Sequence, residues 1–293
     1  MKQILVISGK GGTGKTVITS AFASLVENKV MVDCDVDAAD LHILLQPEIK
    51  EWHVFKSGYA AMIDQDLCLQ CGKCIDACRF DAIVRKNGAV DIDPVSCEGC
   101  GFCSIVCPQK AIRLKENEAG EWYVSQTRFG EMVHAKLGIA EENSGKLVSQ
   151  VRKKAQECAQ KVNAEWIIID GSPGIGCPVI ASLSGVDLAV VVTEPTMSGL
   201  HDADRVIQVA RHFKVPVVMV VNKYDLNDQV TTDIESFCSA NEIPLIGKIP
   251  FDEVVVKAML ERKTIIEYTQ TGISETIRKI WKRIENMVLG EES

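Results

Sequence analysis

Short runs of apolar residues recur along the chain and alternate with longer stretches of helical periodicity. Unbroken apolar runs of about four to six residues are typical of strands buried on both faces of a sheet. Such runs occur at 4–7, 30–32, 166–169, 188–192, 217–221 and 245–249. Helical patterns separate them, for example at 202–213 and 228–241, and 122–128 predicts an additional strand. This alternation predicts an α/β fold with a mainly parallel sheet flanked by helices.

Between residues 58 and 116 the alternation stops, and eight cysteines occur in two matching runs. The runs are Cys68, Cys71, Cys74 and Cys78, followed by Cys97, Cys100, Cys103 and Cys107. Each cysteine of the second run lies 29 residues after its counterpart, as Cys97 follows Cys68, so the segment contains an internal duplication. We predict a small α+β domain at 58–116, inserted into a larger domain that comprises 1–57 and 117–293.

The spacing of the cysteines indicates what they bind. In each run, two, two and three residues separate successive cysteines. This is the spacing with which two-cluster ferredoxins bind cubane [4Fe–4S] clusters, and the fourth cysteine of each run ligates the other cluster. We therefore expect two crossed ligand sets. They are Cys68, Cys71, Cys74 and Cys107 for the first cluster, and Cys97, Cys100, Cys103 and Cys78 for the second.

A glycine-rich segment follows the first predicted strand and leads into a helical pattern. It consists of Gly9, Lys10, Gly11, Gly12, Thr13, Gly14, Lys15 and Thr16. Glycines let backbone N–H groups close around a phosphate, and the helix N-terminus adds partial positive charge. Lys15 is predicted to contact the β- and γ-phosphates, and the Thr16 hydroxyl is predicted to ligate Mg²⁺. The motif predicts a site for ATP or ADP with Mg²⁺.

Lys10 is additional to the ordinary motif, and with it the segment resembles the deviant Walker A loop of the MinD/ParA family of SIMIBI-class P-loop ATPases. That family includes the nitrogenase iron protein and the Mrp-type cluster carriers. The resemblance implies slow, Mg²⁺-dependent ATP hydrolysis and an ATP-dependent homodimer in which Lys10 reaches the active site of the partner. With its cysteine insert, the chain resembles MinD-superfamily ATPases that carry a bacterial-type ferredoxin domain. One departure is Arg79, which stands where such ferredoxins carry proline.

The resemblance extends to residues that follow four of the predicted strands. Asp35 is expected to orient the attacking water, and Asp33 to support the Mg²⁺ shell. Asp170 ends a segment that resembles the Walker B strand, which implies that it holds Mg²⁺ through water. Asn222 corresponds to the adenine side of the site, although an asparagine in a turn is the alternative. The segment Pro250, Phe251 and Asp252 is expected to flank the base.

Composition and charge exclude several classes of function. The net charge of −8 argues against a nucleic-acid partner. No apolar stretch approaches the roughly 20 residues of a membrane span, and no signal peptide is recognisable. With no secretion signal, the 12 cysteines favour metal binding over disulfides and predict a cytoplasmic protein.

Two features allow more than one interpretation. The segment 273–288 combines an apolar stripe, which includes Trp281 and Met287, with a basic face. Such a helix either lies on an anionic membrane or packs on the sheet, and we favour packing. Cys177 lies shortly after Asp170, as a cluster-ligating switch II cysteine does in the nitrogenase iron protein. A bridging cluster ligand is therefore one hypothesis for Cys177, and a structural thiol is the alternative.

The sequence thus predicts an ATP-hydrolysing iron–sulfur protein that couples nucleotide state and dimerisation to electron transfer with a redox partner protein. One alternative is a carrier or scaffold for Fe–S clusters or metal. Another is a ParA/MinD-like positioning switch.

Overall fold

The computed structural model describes residues 1–138 and 141–290. The chain forms two compact units. The first comprises Met1–His53, Trp122–Leu137 and Asn143–Ser293, and the second comprises Val54–Glu121 and Gly138–Glu142. The sequence placed the insert at 58–116. Two of the boundaries, after His53 and after Glu121, lie within strands of 16 residues each, so no loop marks the insert at those two points.

Helices alternate with strands along most of the chain. The strands in the described ranges are β1 (Lys2–Ile7), β2 (Lys29–Asp33), β3 (Glu48–Ile63), β4 (Ile83–Lys86), β5 (Ala89–Ile92), β6 (Ile112–Thr127), β7 (Gly130–Leu137), β8 (Trp166–Asp170), β9 (Leu188–Thr193), β10 (Val217–Asn222) and β11 (Leu245–Ile249). The helices there are α1 (Lys15–Leu25), α2 (Leu41–Leu45), α3 (Lys73–Ala77), α4 (Phe102–Val106), α5 (Ser144–Lys161), α6 (Cys177–Leu183), α7 (Met197–His212), α8 (Asp228–Ala240), α9 (Val254–Leu260), α10 (Ile265–Tyr268) and α11 (Ile273–Leu289), with a 3₁₀ turn at Tyr224–Leu226.

The first unit is built on a mainly parallel sheet. Seven strands run parallel in the order β11-β10-β9-β1-β8-β2-β7, and β6 and β3 follow at the edge. β8 and β9 are buried along their whole length, as their unbroken apolar sequences require. The predicted α/β class with a mainly parallel sheet is confirmed. Ligands of such sheets bind at the carboxyl ends of the strands, and β1 leads there directly into α1.

Helix α11 packs its apolar stripe into the core of the first unit. Ile277, Ile280 and Ile284 are at most 1% exposed. The Trp281 ring lies 5.1 Å from the ring of Phe22 and 5.3 Å from that of Trp166. These residues pack as the apolar face of a helix on a sheet is expected to, whereas Met287, at the end of the predicted stripe, is 48% exposed. Within the described residues, no helix has both the length and the apolar content that a bilayer crossing requires.

The second unit contains a hairpin and two short helices. β4 and β5 pair antiparallel through the two-residue turn Asn87-Gly88, in which both residues have positive φ, as the tight turns of two-residue hairpins often require. The sequence duplication is visible in the backbone, since α3 and α4 each begin after a glycine with φ near 80°, Gly72 (80°) and Gly101 (77°). Aliphatic residues and cysteines share the small core of this unit.

Candidate functional site

A cavity of about 450 Å³ lies where β1 leads into α1. This volume is within the range of small-molecule sites. The predicted nucleotide residues that line it are Gly11, Gly12, Thr13, Gly14, Lys15, Thr16, Asp35, Asn222, Pro250, Phe251 and Asp252. The cavity also has an apolar lining, formed by Ile18, Val255, Val256, Met259, Ile273 and Ile277. The polar part suits a phosphate chain, and the apolar part suits the flat face of a base.

Asn222 supports the glycine-rich loop from the end of β10. Its Nδ2 donates a hydrogen bond of 2.8 Å to the carbonyl oxygen of Thr13. Gly14 has φ of 90°, and a Cβ there would lie 2.2 Å from the same Nδ2, so only glycine permits this approach. One N–H of the Asn222 amide is thus used by the loop, and the side chain also carries a second N–H donor and an oxygen acceptor. Contact between Asn222 and an adenine stays a prediction.

Lys15 lies between two carboxylates at the base of the cavity. Its Nζ is 3.2 Å from Asp35 Oδ2 and 3.4 Å from Asp170 Oδ1. Burial alone would lower the pKa of Lys15, but the carboxylates of Asp170, Asp35 and Asp33 outweigh burial, and the pKa is raised. Lys15 is therefore a permanent cation placed to bind phosphate.

Below the loop, the carboxylates of Asp33, Asp35 and Asp170 surround Lys15 electrostatically, and two threonine hydroxyls lie beside Asp170. Asp170 accepts hydrogen bonds from Thr16 Oγ1 (2.8 Å) and Thr19 Oγ1 (3.0 Å). Asp33 pairs with Asp170 in the register of β2 and β8, and its Oδ2 has no hydrogen-bond partner among the described residues. Burial and the neighbouring Asp170 raise the pKa of Asp33 well above its usual range. Burial also raises the pKa of Asp35, against the opposing effect of Lys15. The Asp170 carboxylate and the Thr16 hydroxyl, which are hydrogen-bonded to each other, are oxygen groups of the kind that Mg²⁺ prefers.

Gly9 and Lys10 lie beside this cavity and pack against the segment that follows β9. A Cβ at Gly9 would lie 2.3 Å from the carbonyl carbon of Asp202, so the loop meets α7 backbone to backbone. Lys10 Nζ lies 2.7 Å from Glu194 Oε1. It also donates to the hydroxyls of Thr196 (3.1 Å) and Ser198 (3.2 Å). The role of Lys10 in a partner subunit stays a prediction.

Sequence reasoning missed Glu194 and Thr19. Glu194 directly follows β9, at the same edge of the sheet as the glycine-rich loop, and a charged residue there was a usable signal. Thr19 lies one helical turn after Lys15, so the helical period places both on the same face of α1.

The eight cysteines of the second unit line two small cavities, four to each. The first cavity is lined by Cys68, Cys71, Cys74 and Cys107. The second is lined by Cys78, Cys97, Cys100 and Cys103. Each set takes three cysteines from one run and one from the other. Within the described residues, no three Cys, His, Asp or Glu side chains converge as the ligands of a single metal ion do.

The cysteine cavities have an apolar environment. Cys74 and Cys103 are buried in the core of the second unit together with Ile83, Val90 and Ile112. The Ala111 N–H donates a hydrogen bond of 3.4 Å to Cys107 Sγ.

The four cysteines outside the two runs lie in the first unit. Cys34, Cys158 and Cys238 are buried, and burial raises the pKa of the Cys34 thiol to about 12. Such buried thiols are inert. Cys177 is exposed at the start of α6.

A parallel sheet whose first strand leads through a glycine-rich loop into a helix, with a lysine and a threonine at the helix start, defines a P-loop nucleotide-binding protein. The CobQ/CobB/MinD/ParA nucleotide binding domain matches residues 4–265. The chain is 34% identical to an uncharacterized protein of Methanocaldococcus jannaschii, over 98% of this chain and 97% of that protein. It therefore belongs to the CobQ/CobB/MinD/ParA family, and it is a P-loop ATPase.

Two further relatives carry the name MinD. The septum site-determining protein MinD of Bacillus subtilis is 26% identical, over 97% of this chain and 88% of that protein. The septum site-determining protein MinD of Pyrococcus horikoshii, solved in complex with Mg-ADP, has a similar fold with a TM-score of 0.58 and 19% identity. That similarity covers 98% of this chain and 96% of the Pyrococcus chain. The fold agrees with the family assignment.

Proposed function

We propose that this ATPase couples its nucleotide state to electron transfer through two [4Fe–4S] clusters held by the second unit. The observation that carries the proposal is the grouping of the eight cysteines around two cavities in the crossed pattern of three plus one. The spacing of the two runs requires this pattern for a pair of cubane clusters. A set of disulfides would not need this three-plus-one grouping. All twelve cysteines are free thiols.

The donor set fits cubane clusters better than single metal ions. In a cubane each cysteine binds a different iron, so the four thiolates stand farther apart than the ligands of one ion. Four cysteines around each cavity agree with that requirement. When bound, such clusters supply one-electron redox chemistry. The apolar residues around Cys74 and Cys103 exclude water from the sulfurs, which is one of the factors that set a cluster potential.

For the ATPase site we propose roles that follow from its contacts. Lys15 and the loop backbone would bind the phosphates. Thr16 and Asp170, which are hydrogen-bonded to each other, would hold Mg²⁺, and Asp33 lies beside Asp170 on the neighbouring strand. Asp35 lies in the cavity lining, where it is able to orient a water toward the γ-phosphate. The apolar lining and the segment Pro250–Asp252 enclose the base.

We also propose that ATP produces a homodimer in which Lys10 of each subunit reaches the phosphates of the other. Lys10 lies outside the cavity of its own chain, so it does not contribute there to its own nucleotide site. Phosphoryl transfer needs a cation at the transition state, and a residue supplied by a partner makes hydrolysis depend on association. A redox partner protein would then exchange electrons with the second unit.

Cys107→Ala tests the crossed ligation. Protein purified without oxygen should contain about eight iron and eight acid-labile sulfide per chain, since two cubanes have four of each. In Cys107→Ala the iron content should fall by about half. The EPR spectrum of the reduced variant should match that of Cys68→Ala and differ from that of Cys97→Ala, because Cys107 completes the first cluster.

Cys158→Ala is the control, since it removes a buried thiol of α5 from outside the two runs and should keep all the iron. A Cys107→Ala spectrum that matches Cys97→Ala would mean that the ligation is not crossed. Anaerobic protein without iron would remove the cluster proposal altogether.

A MinD-like positioning switch is the second candidate, and the comparisons favour it. The similarity to the MinD of Bacillus subtilis covers 97% of this chain, and the MinD of Aquifex aeolicus has been solved in a complex with MinC. A positioning switch needs the ATP-dependent dimer but no redox centre. ATP-dependent association with a partner or with vesicles, unchanged by Cys107→Ala, would support this candidate.

A further inference from the structure

Glu194 is the common acceptor for two lysines next to the glycine-rich loop. Its Oε1 lies 2.7 Å from Lys10 Nζ, and its Oε2 lies 3.4 Å from Lys223 Nζ. Lys223 Nζ in turn donates to the carbonyl oxygen of Gly12 (3.3 Å). The Glu194 side chain is 19% exposed, so water screens these contacts only partly. Burial would raise the pKa of Glu194, but Lys10 and Lys223 outweigh it and hold the pKa below its usual value.

The side-chain ammonium group of Lys10 is surrounded by hydrogen-bond acceptors. Thr196 and Ser198 provide two hydroxyl acceptors in addition to the Glu194 carboxylate. Thr196 is itself fixed as the N-cap of α7, where its side chain accepts from the Gly199 N–H. The backbone of Lys10 is fixed as well, because Ser8 Oγ donates to its carbonyl oxygen (2.8 Å). An ammonium group with three donors thus has three acceptors in its own chain.

We propose that Glu194 is a positioning residue that holds Lys10 in its own subunit and thereby sets the protein concentration at which ATP produces the dimer. This inference rests on the proposed function of Lys10 across a dimer. Lys10 has to leave Glu194 before it contacts the phosphates of a partner. A symmetric dimer breaks two such ion pairs, so their strength opposes association. Lys223 keeps Glu194 in place through the change, because it bridges the carboxylate and the glycine-rich loop.

Glu194→Gln keeps the shape of the side chain and removes its charge. We expect the dissociation constant of the dimer with a non-hydrolysable ATP analogue to fall about tenfold, since two partly exposed ion pairs no longer have to be broken. Analytical ultracentrifugation of the full chain measures this constant. Glu194→Asp, which keeps the charge, should return the constant toward that of the wild type.

A second readout follows Lys10 directly. In nucleotide-free monomer, an amine-reactive acylating reagent should label Lys10 faster in Glu194→Gln than in the wild type, as mass spectrometry of the Lys10 peptide would report. A loss of general stability does not produce this selective change. Glu235→Gln is the matched control, because Glu235 also pairs with a lysine, Lys248, at 2.7 Å. It should increase the labelling of Lys248 alone and leave dimerisation unchanged.

The outcomes separate this inference from the proposal on which it rests. Tighter dimers and faster Lys10 labelling in Glu194→Gln support the inference. Dimers that form equally well or more weakly in Glu194→Gln, while the wild type dimerises with the ATP analogue, overturn the inference alone. A wild type that stays monomeric with the analogue overturns the proposed dimer, and the role of Glu194 with it.

Discussion

Lys15→Ala will abolish productive binding of Mg·ATP. The variant removes the only lysine whose ammonium is buried between Asp35 and Asp170 in the described structure, at the start of α1. Charge-assisted hydrogen bonds to phosphate contribute about 1.5–3 kcal/mol each, so the loss of two corresponds to a reduction in affinity of about 100-fold or more. Calorimetric titration with ATP and Mg²⁺ measures the effect, and hydrolysis should fall to background.

The same variant leaves Asp33, Asp35 and Asp170 without their shared cation. Breaking one side of a buried ion pair costs about 3–5 kcal/mol, so thermal unfolding of nucleotide-free Lys15→Ala should be checked by circular dichroism. Lys263→Ala is the control, since Lys263 pairs with Glu261 at an exposed site and should change neither affinity nor unfolding. Unchanged ATP affinity and turnover in folded Lys15→Ala would contradict the assignment of the nucleotide site.

Lys10→Ala will bind ATP but lose turnover and ATP-dependent dimerisation. Lys15 and the loop backbone remain in place to bind the phosphates, because Lys10 lies outside the cavity. A cation that acts only at the transition state contributes orders of magnitude in rate, so hydrolysis should fall about 100-fold or more. Nucleotide titration, ultracentrifugation and phosphate release measure the three properties separately.

Mixing Lys10→Ala with Asp35→Ala distinguishes action across the dimer from action within one chain. In a mixed dimer, one of the two composite sites holds an intact Asp35 together with an intact Lys10 from the other subunit. Part of the activity should therefore return on mixing, although each variant alone is inactive. A chain that stays monomeric with ATP while Lys10→Ala hydrolyses at the full rate would leave Lys10 as an ordinary loop residue.

The sequence pattern predicted the buried strands well and the exposed ones poorly. The apolar runs at 4–7, 166–169 and 188–192 correspond to strands that are buried on both faces. A strand buried on both faces needs apolar residues at every position, so its sequence is an unbroken apolar run. β3 has no such run, because half of its 16 residues are exposed and only Phe55 and Ala61 are buried. In β7 the buried His134 interrupts the apolar residues, and it is satisfied there by the Ser125 hydroxyl at 2.9 Å.

Local motifs predicted residues such as Lys15 and Thr16, which the structure places in the lining of one cavity. The glycine-rich loop fixes Lys15 and Thr16 because both follow the phosphate-binding turn at set positions. Contacts between segments that are distant in the sequence could not be predicted from local motifs. Glu194 meets Lys10 only because β9 lies next to β1 in the sheet, and no local pattern encodes that strand order. Glu194 could therefore be identified as the acceptor of Lys10 in its own chain only from the structure.

If the nucleotide state is coupled to the clusters, nucleotide binding will change a cluster's reduction potential, and a redox titration measures this change. Allosteric coupling is typically about 1–3 kcal/mol, and one charge moved through 100 mV corresponds to about 2.3 kcal/mol, so nucleotide binding should shift a cluster potential by roughly 40–130 mV. The measurement is an anaerobic EPR titration without nucleotide, with ADP and with a non-hydrolysable ATP analogue. We expect two [4Fe–4S] signals, at least one of which shifts in potential between these states. Two clusters with identical potentials in all three states, or protein without clusters, would contradict this expectation.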